Sequence, residues 1–193
     1  QKKEELPGAL QWLVRFPPND TVELKGYAFP ENFAFQHPGR EFIPGRYNDR
    51  EVTAEDTRTL YDALRASAIA IHFGSTIAID ASFCDVPNIF VLFDPVRGRE
   101  GPQRASVSNG TAPPFYKSTT RFLEYAHLQK FIALGGSRVV KSREELIAAI
   151  NDYLMHPERD REGRKRVVAA QCAYTDGKSG SRIAGLIMSS TND

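Results

Sequence analysis

The sequence predicts an α/β protein: a three-layer, Rossmann-like domain with a mainly parallel sheet and a tail of helices at its C-terminal end. Strand-like apolar runs alternate with helical patterns along the chain, which is typical of βαβ units. Two runs, Ala68–Phe73 and Asn88–Phe93, are rich in β-branched and aromatic residues, as in strands buried on both faces. The length of 193 residues suits one domain, and we expect residues 1–193 to form a single unit.

The N-terminal part is predicted to hold a strand, a loop-rich stretch and a helix. The apolar run Ala9–Phe16 ends at two prolines, which close a strand. Residues 26–50 are rich in proline, glycine and aromatic residues, with a short strand expected at 41–45. Segment 53–67 opens with a capping-box-like pair, Thr53 and Asp56, and its apolar side chains share one face, so it predicts a helix.

The C-terminal part is predicted to be mostly helical. A stretch with almost no apolar periodicity, 94–118, leaves the carboxyl end of a predicted strand, where open α/β sheets bind ligands. Helical patterns then occur at 119–131, at 142–157 after the capping pair Ser142 and Glu145, at 157–174 and at 175–190, with a short strand at 137–140. The basic run 161–166 is interpreted as a solvated helix face, and Ile183, Leu186 and Ile187 as the apolar face of the last helix.

Composition excludes several classes of partner. The 25 basic and 24 acidic residues create no overall field that would attract nucleic acid. No apolar run approaches the roughly 20 residues that cross a bilayer. Cys84 and Cys172 lack metal-ligand spacing and are interpreted as free thiols in a reducing compartment. The chain starts at Gln1 within a charged run, which looks like a cut made in a longer protein or a trimmed end.

The turn between the two buried strands is the candidate phosphate site. Gly74, Ser75 and Thr76 open a helix, and a helix N-terminus offers unpaired N–H groups and a partial positive charge to an anion. Asp80, one turn later, is placed to accept a hydrogen bond from a sugar hydroxyl. The alternative is that Ser75 only caps the helix and Asp80 complements its dipole.

Three further residues are candidates for contact with an anionic ligand or for acid–base chemistry. His72 ends the strand before the turn, and His127 follows the 94–118 stretch. Arg15 ends the first strand beside the prolines and is placed to meet an anion, although a salt bridge would explain it as well. No nucleotide-binding P-loop, dinucleotide-binding glycine motif or zinc-protease motif occurs.

The ordered pieces resemble the C-terminal half of a GT-B glycosyltransferase, and most closely the bacterial surface-polysaccharide and CDP-glycerol glycerophosphotransferase-like group. Four stretches carry the resemblance in order along nearly the whole chain: "VRFPPND", "LYDALRASAIAIHFGSTIAIDASFCDVPNIFVLFD", "SREELIAAINDYLMHPERDREGR" and "YTDGKSGSRIAGLI". The sequence differs from the family's motifs at two places. "FPP" stands where the family often has His-Pro, and Asp80 stands where many relatives have Glu.

The resemblance implies a domain that binds the diphosphate of a nucleotide-activated sugar or polyol donor. It places Gly74, Ser75 and Thr76 at the phosphates, Asp80 at the ribose and Arg15 as the basic residue of the first motif. His72 and His127 remain the candidate catalytic residues, and neither a cofactor nor a metal is expected.

The resemblance also implies a missing part, because a GT-B enzyme binds its acceptor in an N-terminal half. We therefore expect a missing N-terminal domain or a partner subunit, and little activity from this chain alone. The expected location is the cytoplasm, with contact at the inner face of the membrane left open, and the expected process is surface-polysaccharide or cell-envelope synthesis. The alternatives are a sugar-nucleotide 2-epimerase-like domain and a non-catalytic α/β interaction module.

Overall fold

A computed structural model describes residues 6, 10–18, 28–41, 50–94 and 119–190. The strands are β1 (Trp12–Arg15), β2 (Phe33–Gln36), β3 (Arg40–Glu41), β4 (Arg50–Glu51), β5 (Ala70–His72), β6 (Asn88–Val91) and β7 (Arg138–Val140). The helices are α1 (Ala54–Ala66), α2 (Ile77–Phe83), α3 (Ala126–Ala133), α4 (Arg143–Met155), α5 (Arg161–Gln171) and α6 (Ser179–Ser190), with a 3₁₀ helix at Thr119–Glu124. The α/β class is confirmed. The 94–118 stretch, apart from Asp94, and most of the strand expected at 41–45 lie outside the described residues.

Short parallel sheets organise the described part of the chain. Strands β5, β6 and β7 form a three-stranded parallel sheet in that order, and β1 pairs with β2 in parallel. Strands β3 and β4 form a small antiparallel ribbon. Every residue of β6 is buried, as its continuous apolar run predicts for a central strand. Trp12 of β1 packs against the core cluster around Ile89 and Val91 of β6, so the two parallel sheets share a core.

The capping residues act largely as the sequence predicts. At the start of α1, the Thr53 hydroxyl accepts from the Asp56 N–H at 3.1 Å, and the Asp56 carboxylate accepts from the Thr53 N–H at 2.9 Å. At the start of α4, the Ser142 hydroxyl accepts from the Glu145 N–H. The Glu145 carboxylate, however, bonds the N–H of Lys141 rather than that of Ser142.

The predicted helix 119–131 is divided in two. The 3₁₀ helix ends at Glu124, and Tyr125 is extended (φ −82°, ψ 117°) before α3 begins. In one unbroken α-helix, Phe122 and Leu128 would point about 120° apart, because each residue turns about 100°. The break at Tyr125 lets both side chains pack against Gly74.

The interpretation of 161–166 as a solvated face is wrong for Arg164, whose side chain is 1% exposed. A Cβ on Gly163 would collide with the carbonyl group of Gly135, so α5 lies unusually close to that loop. Arg164 fills the space beside it and bonds Asp85, which follows α2 with a positive φ of 55°. The rest of the basic run remains exposed.

Helix α6 has no buried residue. Its predicted apolar face is present but exposed, with Ile183, Leu186 and Ile187 at 59%, 67% and 59% exposure. Arg182 fixes the start of the helix through two hydrogen bonds to Asp176. Among the described residues, no helix is both long and apolar enough to traverse a bilayer.

Candidate functional site

The Gly74–Thr76 turn joins β5 to α2 at the carboxyl end of a parallel strand. Gly74 has a φ of 66°, in the left-handed region that favours glycine. A Cβ there would lie 2.9 Å from Cγ of Phe122 and 3.2 Å from Cδ1 of Leu128. The glycine is therefore needed for the close approach of Phe122, and an anion must reach the turn from the side of Ser75 and Thr76.

Ser75 and Thr76 offer hydrogen-bond donors that the fold hardly uses. Both residues are exposed, and Thr76, the N-cap of α2, makes no side-chain capping bond. The Ser75 hydroxyl accepts a long 3.4 Å bond from the N–H of Ile77. In the part of the chain that the structure describes, the backbone N–H groups of Ser75 and Thr76 have no acceptor. If Ser75 only capped α2, this role would explain one weak hydrogen bond. It would leave the exposed hydroxyl of Thr76 without a role.

Asp80 lies in the first turn of α2 and has no hydrogen-bonding partner for its carboxylate within the described ranges. Partial burial raises the pKa of this carboxyl above its usual value. The residue is exposed, so its carboxylate is open to an incoming hydroxyl group, and a charged acceptor makes a strong hydrogen bond. Its position one turn beyond Thr76 fits the predicted ribose contact.

His72 lies beneath the turn rather than in it. Its side chain is 4% exposed, its ring stacks on Phe90, and its Nε2 lies 3.1 Å from the hydroxyl of Ser137. That hydroxyl donates to the side-chain carbonyl of Asn88. Burial lowers the pKa of His72 to about 4, so the ring is neutral at pH 7. The catalytic role of His72 stays a prediction. Its buried position below the turn indicates that the ring supports the turn.

His127 and Arg15 have different relationships to the turn. His127 is exposed in the first turn of α3, and its ring stacks on Tyr125 with the centroids 5.8 Å apart. Arg15 donates to the side chain of Gln36 and to the carbonyl of Asp56, both at 2.9 Å. No hydrogen bond or ion pair described here joins Arg15 to the turn. Arg15 ties β1 to β2 and α1, and its predicted contact with an anion stays untested.

Sequence reasoning missed the residues that surround the turn. Phe122 and Leu128 belong to segment 119–131, which was interpreted only as a helix, and the helix break that brings them to Gly74 has no strong local signal. Ser137 and Asn88, which form the buried polar network with His72, lie on separate strands or strand ends. Within the described ranges, no group of three or more His, Cys, Asp or Glu residues is placed to hold a metal ion.

Comparisons of the chain with protein-family models, with curated proteins and with solved structures found no match. The proposed function therefore depends on the geometry of the turn and its surroundings.

Proposed function

We propose that the chain is the donor-binding domain of a GT-B-type transferase, with a three-layer, Rossmann-like layout. The Gly74–Thr76 turn would bind the diphosphate of a nucleotide-activated sugar or polyol phosphate. One observation carries the proposal: Ser75 and Thr76 are adjacent and exposed just beyond a parallel strand, and among the described residues their two backbone N–H groups have no acceptor. Such a set of donors suits the oxygen atoms of a phosphate.

The hydroxyls and amides would bear most of the phosphate interaction. Helix α2 is only seven residues long, so its dipole adds little beyond the local N–H groups. In group transfer, donors that are already oriented would stabilise the negative charge that develops on the leaving diphosphate. Asp80 would accept a hydrogen bond from the ribose of the same nucleotide.

The acceptor would bind elsewhere, on a missing N-terminal domain or a partner subunit. We propose that the complete enzyme acts in surface-polysaccharide or cell-envelope synthesis in the cytoplasm, at the inner face of the membrane.

The burial of His72 weighs against the 2-epimerase alternative, because that chemistry needs an acid–base group in contact with the sugar.

Isothermal titration calorimetry tests this proposal with pyrophosphate, UDP, CDP, GDP and ADP as ligands. The double variant Ser75→Ala/Thr76→Ala removes both hydroxyls of the turn. A hydrogen bond to a charged group contributes about 1.5–3 kcal/mol, so the double variant should weaken pyrophosphate binding at least tenfold, by ~1.4 kcal/mol or more.

The matched control is Thr175→Ala/Ser181→Ala, which removes two exposed hydroxyls from the segment around the start of α6. It should bind as the wild type does. The proposal fails if the wild type binds none of the five ligands, or if the two double variants lose affinity equally.

A further inference from the structure

A continuous series of aromatic rings runs from the core to the surface beside the turn. His72 stacks on Phe90 with centroids 5.3 Å apart, Phe90 contacts Phe122 at 6.4 Å, and Phe122 contacts Tyr125 at 6.1 Å. Tyr125 then stacks on His127 at 5.8 Å. His72 and Phe90 are buried and Phe122 is half-buried, whereas Tyr125 is 39% exposed and His127 is exposed. The series therefore ends in two solvent-facing rings.

This exposed end lies next to the candidate phosphate site. Phe122 occupies the space beside Gly74, where a Cβ would come within 2.9 Å of its ring, and Leu128 of α3 packs there as well. Tyr125 and His127 belong to the same short segment as these two side chains. Phe122 therefore connects the exposed rings to the turn that carries the donors of Ser75 and Thr76.

Helix capping does not explain Tyr125. It is the N-cap of α3 and makes no side-chain capping bond. Ser, Thr, Asp and Asn are preferred at this position, and a residue that cannot cap costs about 1 kcal/mol. Its ring packs against Phe122 and His127, yet 39% of the residue stays open to solvent. Departures from local stability rules of this kind are typical of functional positions.

The backbone holds Tyr125 firmly in place. Its carbonyl accepts from the N–H groups of Leu128 and Gln129, both at 3.0 Å, and its own N–H donates to Phe122 at 3.3 Å. The Gln129 side chain also donates to the Leu123 carbonyl at 2.6 Å, which fastens the 3₁₀ helix to α3. A ring presented on a fixed backbone binds a flat ligand with a small loss of conformational entropy.

We propose that Tyr125 and His127 form a stacking platform for the nucleobase of the ligand whose diphosphate lies at Ser75 and Thr76. The inference rests on the proposed function, and it gives His127 a binding role in place of a catalytic one. Stacking on an aromatic face tolerates every base, because each base has a π-face. The platform therefore implies affinity for nucleotides in general, with the choice of base made by other groups.

The test compares nucleotide and pyrophosphate binding by calorimetry in three variants. Tyr125→Ser removes the ring and supplies a better N-cap, so a loss of affinity cannot be due to a weakened α3. Tyr125→Phe keeps the ring and loses only the hydroxyl. Tyr61→Ser, on the surface of α1, is the matched control, because Tyr61 is 43% exposed.

Tyr125→Ser should weaken the binding of UDP, CDP, GDP and ADP about tenfold, because stacking contributes about 1–3 kcal/mol per base. It should leave pyrophosphate affinity unchanged, and Tyr125→Phe and Tyr61→Ser should bind as the wild type does. The platform is overturned if Tyr125→Ser binds nucleotides as well as the wild type, or loses pyrophosphate affinity by the same factor. In both cases pyrophosphate binding survives in the wild type, so the proposed function stands. If the wild type binds neither kind of ligand, both inferences are wrong.

Discussion

Arg164 donates from Nε to the Oδ1 atom of Asp85 at 2.9 Å while its own side chain is 1% exposed. The same guanidinium donates to the carbonyls of Arg159 and Pro157. Arg164 therefore joins α5 to the end of α2 with one hydrogen bond and to the loop between α4 and α5 with two. Because α2 carries the candidate site, this buried cation also fixes the position of the turn.

Arg164→Met should lower the free energy of unfolding by about 2 kcal/mol, because three hydrogen bonds are lost and a long side chain of similar length replaces the arginine. Arg161→Met is the control, since Arg161 bonds the other oxygen of Asp85 but is 47% exposed, and exposed pairs contribute about 0–1 kcal/mol. Urea denaturation monitored by circular dichroism measures both variants. Equal losses in the two variants would contradict a special role for the buried arginine.

Gly163→Ala should destabilise the protein by about 1–3 kcal/mol or more, because the new methyl group meets the carbonyl group of Gly135 and must push α5 away. Gly185→Ala, in the middle of α6, has open space around its Cβ and should stabilise the helix by about 0.8 kcal/mol. Thermal unfolding of the two variants should therefore shift in opposite directions. A stable Gly163→Ala variant would show that α5 does not pack this closely.

Gly74→Ala should cost more stability than Gly177→Ala. Both glycines have a positive φ, 66° and 72°, so both variants bear the strain of about 1 kcal/mol for a side chain in the left-handed region. Only Gly74 has neighbours, and its new methyl group would meet Phe122. The difference between the two free energies of unfolding measures the contact between the turn and the aromatic series. Equal costs would mean that Phe122 does not lie against the turn.

The buried His72 should make stability depend on pH between 6.5 and 4. Its pKa falls from 6.5 in the unfolded chain to about 4 in the folded protein, so within this window the unfolded state binds the extra proton. The contribution of His72 to the free energy of unfolding is complete above pH 6.5. It decreases as the pH falls, and at pH 4 the free energy of unfolding is lower by up to about 3 kcal/mol. Asp56, with a pKa of about 2, adds acid sensitivity only below 3.8.

Urea denaturation at several pH values tests this dependence in the wild type and in His72→Gln. The slope between pH 6.5 and 4 should be smaller in His72→Gln, because glutamine does not titrate. An unchanged slope in His72→Gln would show that the ring is not buried in its neutral form.

Local signals predicted most of the elements, but not β2 and β4, for which no strand was expected. The pair Thr53 and Asp56 fixed the start of α1, and the unbroken apolar run of β6 predicted a strand buried on both faces. Both signals work because a cap and a strand pattern act within a few residues of the chain. The Gly74–Thr76 turn was found in the same way, as a small-residue opening of a helix between two strands.

Contacts between distant parts of the chain account for what the sequence did not predict. Arg164 is charged and lies in a basic run, and its burial depends on Gly163 meeting Gly135 and on the conformation of Asp85, none of which is visible locally. The break at Tyr125 is similar, because the segment has helical spacing and the interruption is explained by packing on Gly74. The buried neutral state of His72 likewise arises from Ser137 and the surrounding rings.

Backbone amide NMR during titration with pyrophosphate and then CDP locates the ligand as well as detecting it, and so tests whether the Gly74–Thr76 turn binds a diphosphate. We expect saturable shifts at the N–H groups of Ser75, Thr76 and Ile77 with both ligands, with additional shifts at Tyr125 for CDP alone. Shifts confined to the exposed basic residues of α5, or none at all, would contradict the assignment of this turn as a diphosphate site.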